Sequence, residues 1–491
     1  MSSKDAAAVN TQQATSIKQV FAPLLAIIVG MFMVILDGTA MNVAIPGFIK
    51  DFNSNISVVQ WTVTGYALAQ AAVIPLAGWL SDRFGAKRVF LFSVIMFTIG
   101  SALCAFASGI NQLVLFRVIQ GLGGGMVAPI AMAFTYRLSP PDKVGQVMGM
   151  IGIPMLLAPA LGPVLSGWLV EYVSWHWIFL INLPIGVLAV FIGIRTLPNI
   201  DRQSVPVLDI LGMLLAPLGF GALVYGVSEG STSWTAAETI TGLIVGGAAL
   251  LLFIIVELLR KQPLLELRVF RSNHFTRGII VQWITQIALF GTIFLVPQFL
   301  QQAKGFSAFE SGLAVLPQAL ASGIFMPIGG RLFDRFGARP VVFTGLTFVT
   351  AATFLLSRIS ADDGSLMLAI PLALLGAGMG LSMMPLNTHI IQAAPQNLVS
   401  RVTSLTNAAQ QVMMSFAVAG LSTILSGRME SHLSEGGQPL DALTSSFGDT
   451  FFVLMGIAIL GIVLSLMLRR PAKDKKSGQE QEAEVPVLSG Q

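Results

Sequence analysis

Long apolar runs alternate with short polar connections along nearly the whole chain. Runs of about 20 residues, the length that crosses a bilayer as a helix, lie near 20–45, 58–80, 88–108, 112–136, 147–170 and 177–196. Two more lie near 207–227 and 239–258, and six near 275–300, 308–332, 340–358, 365–390, 403–426 and 449–468. This pattern predicts an all-α integral membrane protein of fourteen spans. Residues 1–17 and 471–491 are polar and read as disordered tails. The first run carries Asp37 and flows straight into a helical hairpin, so it reads as a retained span rather than a leader.

One polar connection occurs twice. Gly78-Trp79-Leu80-Ser81-Asp82-Arg83-Phe84-Gly85-Ala86-Lys87-Arg88 joins the second and third runs. Gly330-Arg331-Leu332-Phe333-Asp334-Arg335-Phe336-Gly337-Ala338-Arg339 joins the tenth and eleventh. A repeated hairpin at matching positions predicts a duplicated bundle, the pattern of secondary transporters. Six helices then fall in 18–200 and six in 275–470, with two extra central spans in 201–260 and a basic linker in 261–274. Leu264, Leu265, Leu267, Val269 and Phe270 make that linker a candidate amphipathic segment.

Composition sharpens this picture. Hydrophobic residues form 54% of the chain and charged ones 11%, against about 25% charged in soluble domains. A bilayer has to solvate that much apolar surface. The single cysteine, Cys104, excludes an intrachain disulfide, and the 4 histidines show no metal-ligand spacing, so no metal site is expected. The net charge of +4 does not point to nucleic acid, because its distribution is topological. Arg83, Lys87, Arg88, Arg137, Lys143, Arg195, Arg260, Arg277, Arg335 and Arg401 share one set of connections with both tails. The other set holds only Lys50, Lys304, Arg358 and Arg428. The positive-inside rule makes the first set cytoplasmic, with both termini inside a multi-pass chain in the cell membrane.

Two charges fall inside spans, where they are expensive and usually functional. Asp37 lies in the first and Arg117 in the fourth. Their depths differ by less than roughly 10 Å at 1.5 Å per residue, within partial reach of an arginine. Burial favours a neutral acid and a nearby guanidinium favours a charged one, so the pair makes a proton switch or a static structural pair. Glu257 reads as a residue snorkelling at the cytoplasmic edge or a second titratable site. In the repeated hairpins, Gly78, Asp82, Arg83, Gly85, Arg88, Asp334 and Arg335 form a candidate latch. Its acids are expected to meet helix-end donors of the opposite bundle or to pair with Arg when the cytoplasmic face closes, Asp334 more weakly than Asp82. The alternative is a solvated loop that follows the positive-inside rule. Gly162, Pro163 and Gly167 permit close packing and a bend in the fifth span. Thr62, Tyr66, Gln70, Gln120, Met155, Gln282, Gln286, Asn407, Gln410, Gln411 and Met414 are candidates for a substrate cavity, or for interhelical hydrogen bonding and packing. No phosphate-binding Gly-x-x-x-x-Gly-Lys-Ser/Thr loop is present, which leaves an ion gradient as the energy source and no cofactor.

These motifs resemble those of the major facilitator superfamily, in particular its fourteen-helix drug:proton antiporter branch, the QacA/EmrB-like multidrug exporters. The two hairpins resemble the superfamily's loop signature, and Arg117 with Gln120-Gly121 its fourth-helix signature. Gly162-Pro163 resembles the antiporter signature, and Leu36-Asp37-x-Thr39 with Asn42-Val43-Ala44-x-Pro46 the first-helix signature of that branch. Trp175-His176-Trp177-Ile178-Phe179-Leu180-Ile181-Asn182-Leu183-Pro184 fits as well. Ala158, Ser166 and Ala86 depart from the usual residues. The resemblance implies two six-helix bundles plus two extra central helices. It also implies monomeric, proton-coupled export of amphiphilic, often cationic compounds by alternating access. The alternatives are a proton-coupled transporter of a specific metabolite, lipid or nutrient, and a membrane-embedded enzyme or receptor. An enzyme would need a titratable or nucleophilic constellation that the sequence does not offer.

Overall fold

The structure is a computed structural model that describes residues 17–54, 56–199, 210–230, 233–260, 265, 267–360, 363–395, 398–436 and 438–468. The C-terminal tail, nearly all of the N-terminal one and most of the 261–274 linker's first half lie outside the described residues. The N-terminal group comprises α1 (Ile17–Asp51), α2 (Ile56–Phe84), α3 (Ala86–Ala105), α4 (Ile110–Leu138), α5 (Val144–Tyr172), α6 (His176–Leu180) and α7 (Asn182–Thr196). Then come α8 (Ile210–Gly230) and α9 (Ala237–Leu259). The C-terminal group comprises α10 (Asn273–Gln298), α11 (Ala308–Ala314), α12 (Leu316–Phe336), α13 (Ala338–Leu356), α14 (Ser365–Gln392), α15 (Val399–Ser434) and α16 (Pro439–Ser465).

Twelve stretches among the described residues are long and apolar enough to cross a membrane, and α8 adds a shorter apolar one at Leu211–Val227. The sixth predicted run is broken into α6 and α7. Pro184 lacks the N–H that would bond back across the break. The tenth is broken into α11 and α12, with a proline in the first turn of α12. Each repeated hairpin is a one-residue turn. Gly85 between α2 and α3 has φ 92°, and Gly337 between α12 and α13 has φ 84°. Glycine takes that left-handed conformation without the Cβ clash other residues meet.

Aromatic rings fill the bundles: Phe90, Phe97 and Phe134 in the N-terminal group, Phe299, Phe447 and Phe451 in the C-terminal one. Phe92, Ile99, Phe191, Ile244, Leu252 and Ile324 point outwards and are exposed. Only a hydrocarbon surrounding tolerates such a surface, so the chain is a multi-pass membrane protein. Two seams join the groups: α5 against α12, and α2 against α15. The α8–α9 pair packs on itself, and α8 also touches both α2 and α15.

Candidate functional site

Asp37 and Arg117 meet inside the N-terminal group. Arg117 Nη1 lies 2.6 Å from Asp37 Oδ2, and the two residues are 1% and 0% exposed. A desolvated pair is tolerable only when its remaining polar atoms are satisfied. Gln120 Nε2 donates to Asp37 Oδ1 at 2.9 Å, and Asn182 Nδ2 from α7 donates to the same oxygen at 2.9 Å. Arg117 also donates to Gln120 Oε1 at 2.8 Å and, through Nε, to the Thr62 carbonyl at 3.1 Å. Its guanidinium lies 3.9 Å from the centre of the Tyr66 ring. Asn182 in turn bonds Ser101 Oγ of α3 at 3.0 Å, and Ser101 donates to the Phe179 carbonyl at 2.9 Å. One acid therefore ties α1, α4 and α7 together, and α2 and α3 hold its partners.

This geometry reassigns three expected cavity residues. Thr62, Tyr66 and Gln120 are buried around the ion pair rather than lining an open path. Gln70, expected in the same row, bonds the Tyr66 hydroxyl at 2.9 Å. The expectation that Glu257 snorkels also fails. It is 1% exposed and accepts the Leu265 N–H at 3.2 Å, which fastens the linker to the end of α9. Glu257 is not among the partners of Asp37.

In the C-terminal group the polar residues make a second cluster. Gln282 of α10 donates to Asn387 Oδ1 of α14. Gln282, Thr285 and Gln286 face Met379, Met383 and Leu386 across a cavity of about 10 Å³. Gln282 Oε1, Thr285 Oγ1, Gln286 Oε1 and Asn387 Nδ2 are buried without a protein partner. Met379 and Met383 share an apolar cluster with Met132 of α4 and Met326 of α12, so this cavity borders the boundary between the groups. On α15, Asn407, Gln410 and Gln411 are half-buried and Met414 is exposed; Asn407 bonds its own Thr403 carbonyl at 2.7 Å. The side chains of Met155 and Pro163 lie outside the described residues. Gly162 packs against Thr39 of α1, and Gly167 is half-buried.

The hairpin acids both reach across to the other group. Asp334 accepts the Gly145 and Gln146 N–H groups at 2.8 and 3.0 Å. These are first-turn donors of α5, whose own N-cap, Lys143, makes no side-chain cap. Asp334 therefore caps a helix of the opposite group. Asp82 meets the matching helix differently. Arg401, in the first turn of α15, lies 3.5 Å away, as does Arg137 of α4, which also donates to Ser400 Oγ at 2.8 Å. Of the two kinds of partner expected, Asp334 takes helix-end donors and Asp82 takes arginines. A Cβ on Gly78 would lie 2.6 Å from the Ser400 carbonyl oxygen, and one on Gly330 would run into the Gly145 carbonyl. Both seams are closed to backbone contact on the hairpin face. Arg83, Arg88 and Arg335 are exposed. Ser101, Arg137, Ser400, Arg401 and Asn387 are site residues that the motifs did not single out, and Asn182 entered only as one position of the 175–184 segment. Asn182 carried one available signal, a carboxamide within an otherwise apolar run.

A model of the Major Facilitator Superfamily matches residues 27–418. The chain belongs to this superfamily. Its members are transporters rather than enzymes, and they carry small molecules across membranes. The chain is 38% identical over 394 residues to the multidrug resistance protein B homolog of Mycobacterium tuberculosis (strain ATCC 25618 / H37Rv), covering 79% of this chain and 73% of the relative. It is 32% identical over 460 residues to the lincomycin resistance protein LmrB of Bacillus subtilis (strain 168), covering 92% and 95%. Among solved structures, the human organic anion transporter MFSD10 (TETRAN) superposes with a TM-score of 0.62 at 13% identity, over 91% of this chain and 99% of that one. The proton:xylose symporter XylE superposes with a TM-score of 0.59 at 13% identity, over 89% and 94%. At those identities the likeness is one of fold.

Proposed function

We propose that this transporter is a proton-coupled antiporter that exports amphiphilic, often cationic drugs or toxic compounds from the cytoplasm by alternating access. The observation that carries the coupling is the sealed Asp37–Arg117 pair, a titratable acid held by a network spanning five helices. A proton arriving at Asp37 removes the charge that draws Arg117, Gln120 and Asn182 together, and the network has to rearrange. The relatives named for multidrug and lincomycin resistance support the cargo class. The proton gradient supplies the energy and no cofactor is used.

In this reading α5, 29 residues long, and α8 complete the twelve spans to fourteen, which matches the QacA/EmrB-like branch. The chain is a monomer in the cell membrane with two six-helix bundles, the α8–α9 pair between them and both termini cytoplasmic. Closure at Asp82 and Asp334 is then closure towards the cytoplasm. The Gln282–Gln286–Asn387 cluster, with Asn407, Gln410, Gln411 and Met414 beyond it, serves the substrate. That cluster also favours a second reading, a transporter of one polar metabolite, because carboxamides without a carboxylate suit a neutral solute. Ethidium and chloramphenicol efflux from cells expressing the chain, with and without an uncoupler, separates the two. Uncoupler-sensitive export of both probes supports multidrug exchange. Export of neither rejects it.

A further inference from the structure

Next to the ion pair lies a second small cavity, lined by Leu36, Asp37 and Ala40 of α1, Leu165, Ser166 and Leu169 of α5, Ile178 of α6, and Ile181 and Asn182 at the start of α7. It measures about 10 Å³, which is the room one water needs. Its polar wall is Asp37, Ser166 and Asn182, and Asn182 Oδ1 is buried without a protein partner. Both Asn182 N–H groups are committed, to Asp37 and to Ser101. The oxygen is therefore the part of the amide left to face a ligand. Asp37, Ser166 and Asn182 border a one-water volume whose walls are otherwise apolar, and the Asn182 carbonyl oxygen is the open acceptor beside it.

We infer that this cavity binds a single water that relays the proton of Asp37, and that Asn182 is the positioning residue that orients it. The inference rests on Asp37 being the coupling acid. An amide oxygen accepts and never donates, so the water has to point one of its protons at Asn182 Oδ1. That turns a lone pair towards the neighbouring carboxyl. When Asp37 is neutral, its O–H bond breaks and a new O–H bond forms to the water. The water then passes one of its other protons to solvent water admitted when the transporter opens on the far side. No electrons are transferred, and the carboxylate that remains is already met by Arg117, Gln120 and Asn182. The titratable groups around Asp37 are Arg117 from α4, Tyr66 from α2 beneath Arg117, and Cys104 from α3 against Gln120. From α5, α6 and α7 it is faced by Ser166, Ile178 and Asn182, which do not titrate.

Two variants of the full-length protein in proteoliposomes test this. Ala40→Val fills the cavity without touching a polar partner, and Asn182→Leu removes the orienting acceptor. Infrared difference spectra across a pH step report the carboxyl C=O band of neutral Asp37, assigned by its loss in Asp37→Asn. In both variants that band is expected to move to higher wavenumber as its water partner is lost. Proton-driven ethidium exchange is expected to fall by about a hundredfold, as when a positioned proton-transfer group is removed, with the ethidium KM unchanged. If Asn182→Leu does not fold, Ala40→Val decides alone. A wild-type band and rate in Ala40→Val, with Asp37→Asn inactive, overturns the water site and leaves the coupling role of Asp37 standing. Proton-driven exchange that survives Asp37→Asn overturns the coupling reading itself.

Discussion

Replacing Asp334 by Asn weakens the cap that one group places on a helix of the other. Asp334 accepts two first-turn N–H groups of α5 at 2.8 and 3.0 Å, and α5 has no side-chain cap of its own. A hydrogen bond to a charged group contributes about 1.5–3 kcal/mol. A negative charge at a helix N-terminus adds about 0.3–1 kcal/mol. Asn keeps one accepting oxygen, so one bond survives in weaker form. Asp334 is half-exposed, which lowers the remainder, and the net loss comes to about 2 kcal/mol. That is about a thirtyfold change in the ratio of hairpin-closed to hairpin-open molecules. Spin labels at Arg88 and Arg339, both exposed, read this ratio as a distance distribution, and Cys104 stays in place because it is fully buried. Asp334→Asn should add a long-distance population at least as large as the one Asp82→Asn adds, since the contacts of Asp82 are the longer ones, at 3.5 Å. A distribution that matches the wild type would refute the latch at Asp334.

Three other perturbations address the rest of the site. Arg117→Ala should stop efflux and lower stability by about 3–5 kcal/mol, because it strands a buried carboxylate; adding Asp37→Asn should restore thermal stability in detergent but not efflux, and an active double variant would make the pair structural. Gly78→Val should oppose closure by about 2 kcal/mol, because its Cβ would meet the Ser400 backbone rather than a yielding side chain; labelled hairpins that still close would count against backbone contact at this seam. Gln286→Leu should raise the chloramphenicol KM without altering the hairpin distances, and an unchanged KM would reduce the Gln282–Gln286–Asn387 cluster to helix packing.

The spans were legible because a bilayer imposes one length and one polarity on every helix, and the twelve candidate spans among the described residues follow the apolar runs. The hairpins were legible because they occur twice, and the turn glycines take φ values of 92° and 84° at matching places. Asp37 and Arg117 stood out because unpaired charge is costly in hydrocarbon, and the structure pairs them. The directions of the polar side chains were not legible. Thr62, Tyr66 and Gln70 recur at helical spacing on α2, and Gln120 lies on α4, whether they face a central path or the interior of their own group; only the packing of α2, α3, α4 and α7 decides. Arg137 and Arg401 were hidden in the positive-inside pattern, which predicts a basic loop and does not distinguish an arginine in solvent from one beside Asp82. Asn182 follows the break between α6 and α7, and its register towards Asp37 depends on where that break falls.

The long helix α5 reaches both sites, as α4 does through Arg117 and Arg137. Its first turn is capped by Asp334 of the other group, while Gly162 packs on Thr39 of α1 and Ser166 lines the cavity beside Asp37. Those ends are roughly 30 Å apart at 1.5 Å per residue. If α5 moves as a rigid body, a displacement at Asp37 is felt at the cap, and the two seams open or close as one. In the proposed reading, the stiffness of α5 sets how much of the protonation free energy reaches the latch. It need not be large. A cap contributing about 2 kcal/mol is released by any rearrangement at Asp37 that favours the open state by the same amount, because only differential interaction between states shifts their populations. By reciprocity, a latch held closed alters the proton affinity of Asp37 by the same free energy. In the proposed reading, exchange driven by a gradient requires that link; α5 touches both ends of it, as does α4 through Arg117 at Asp37 and Arg137 at Asp82.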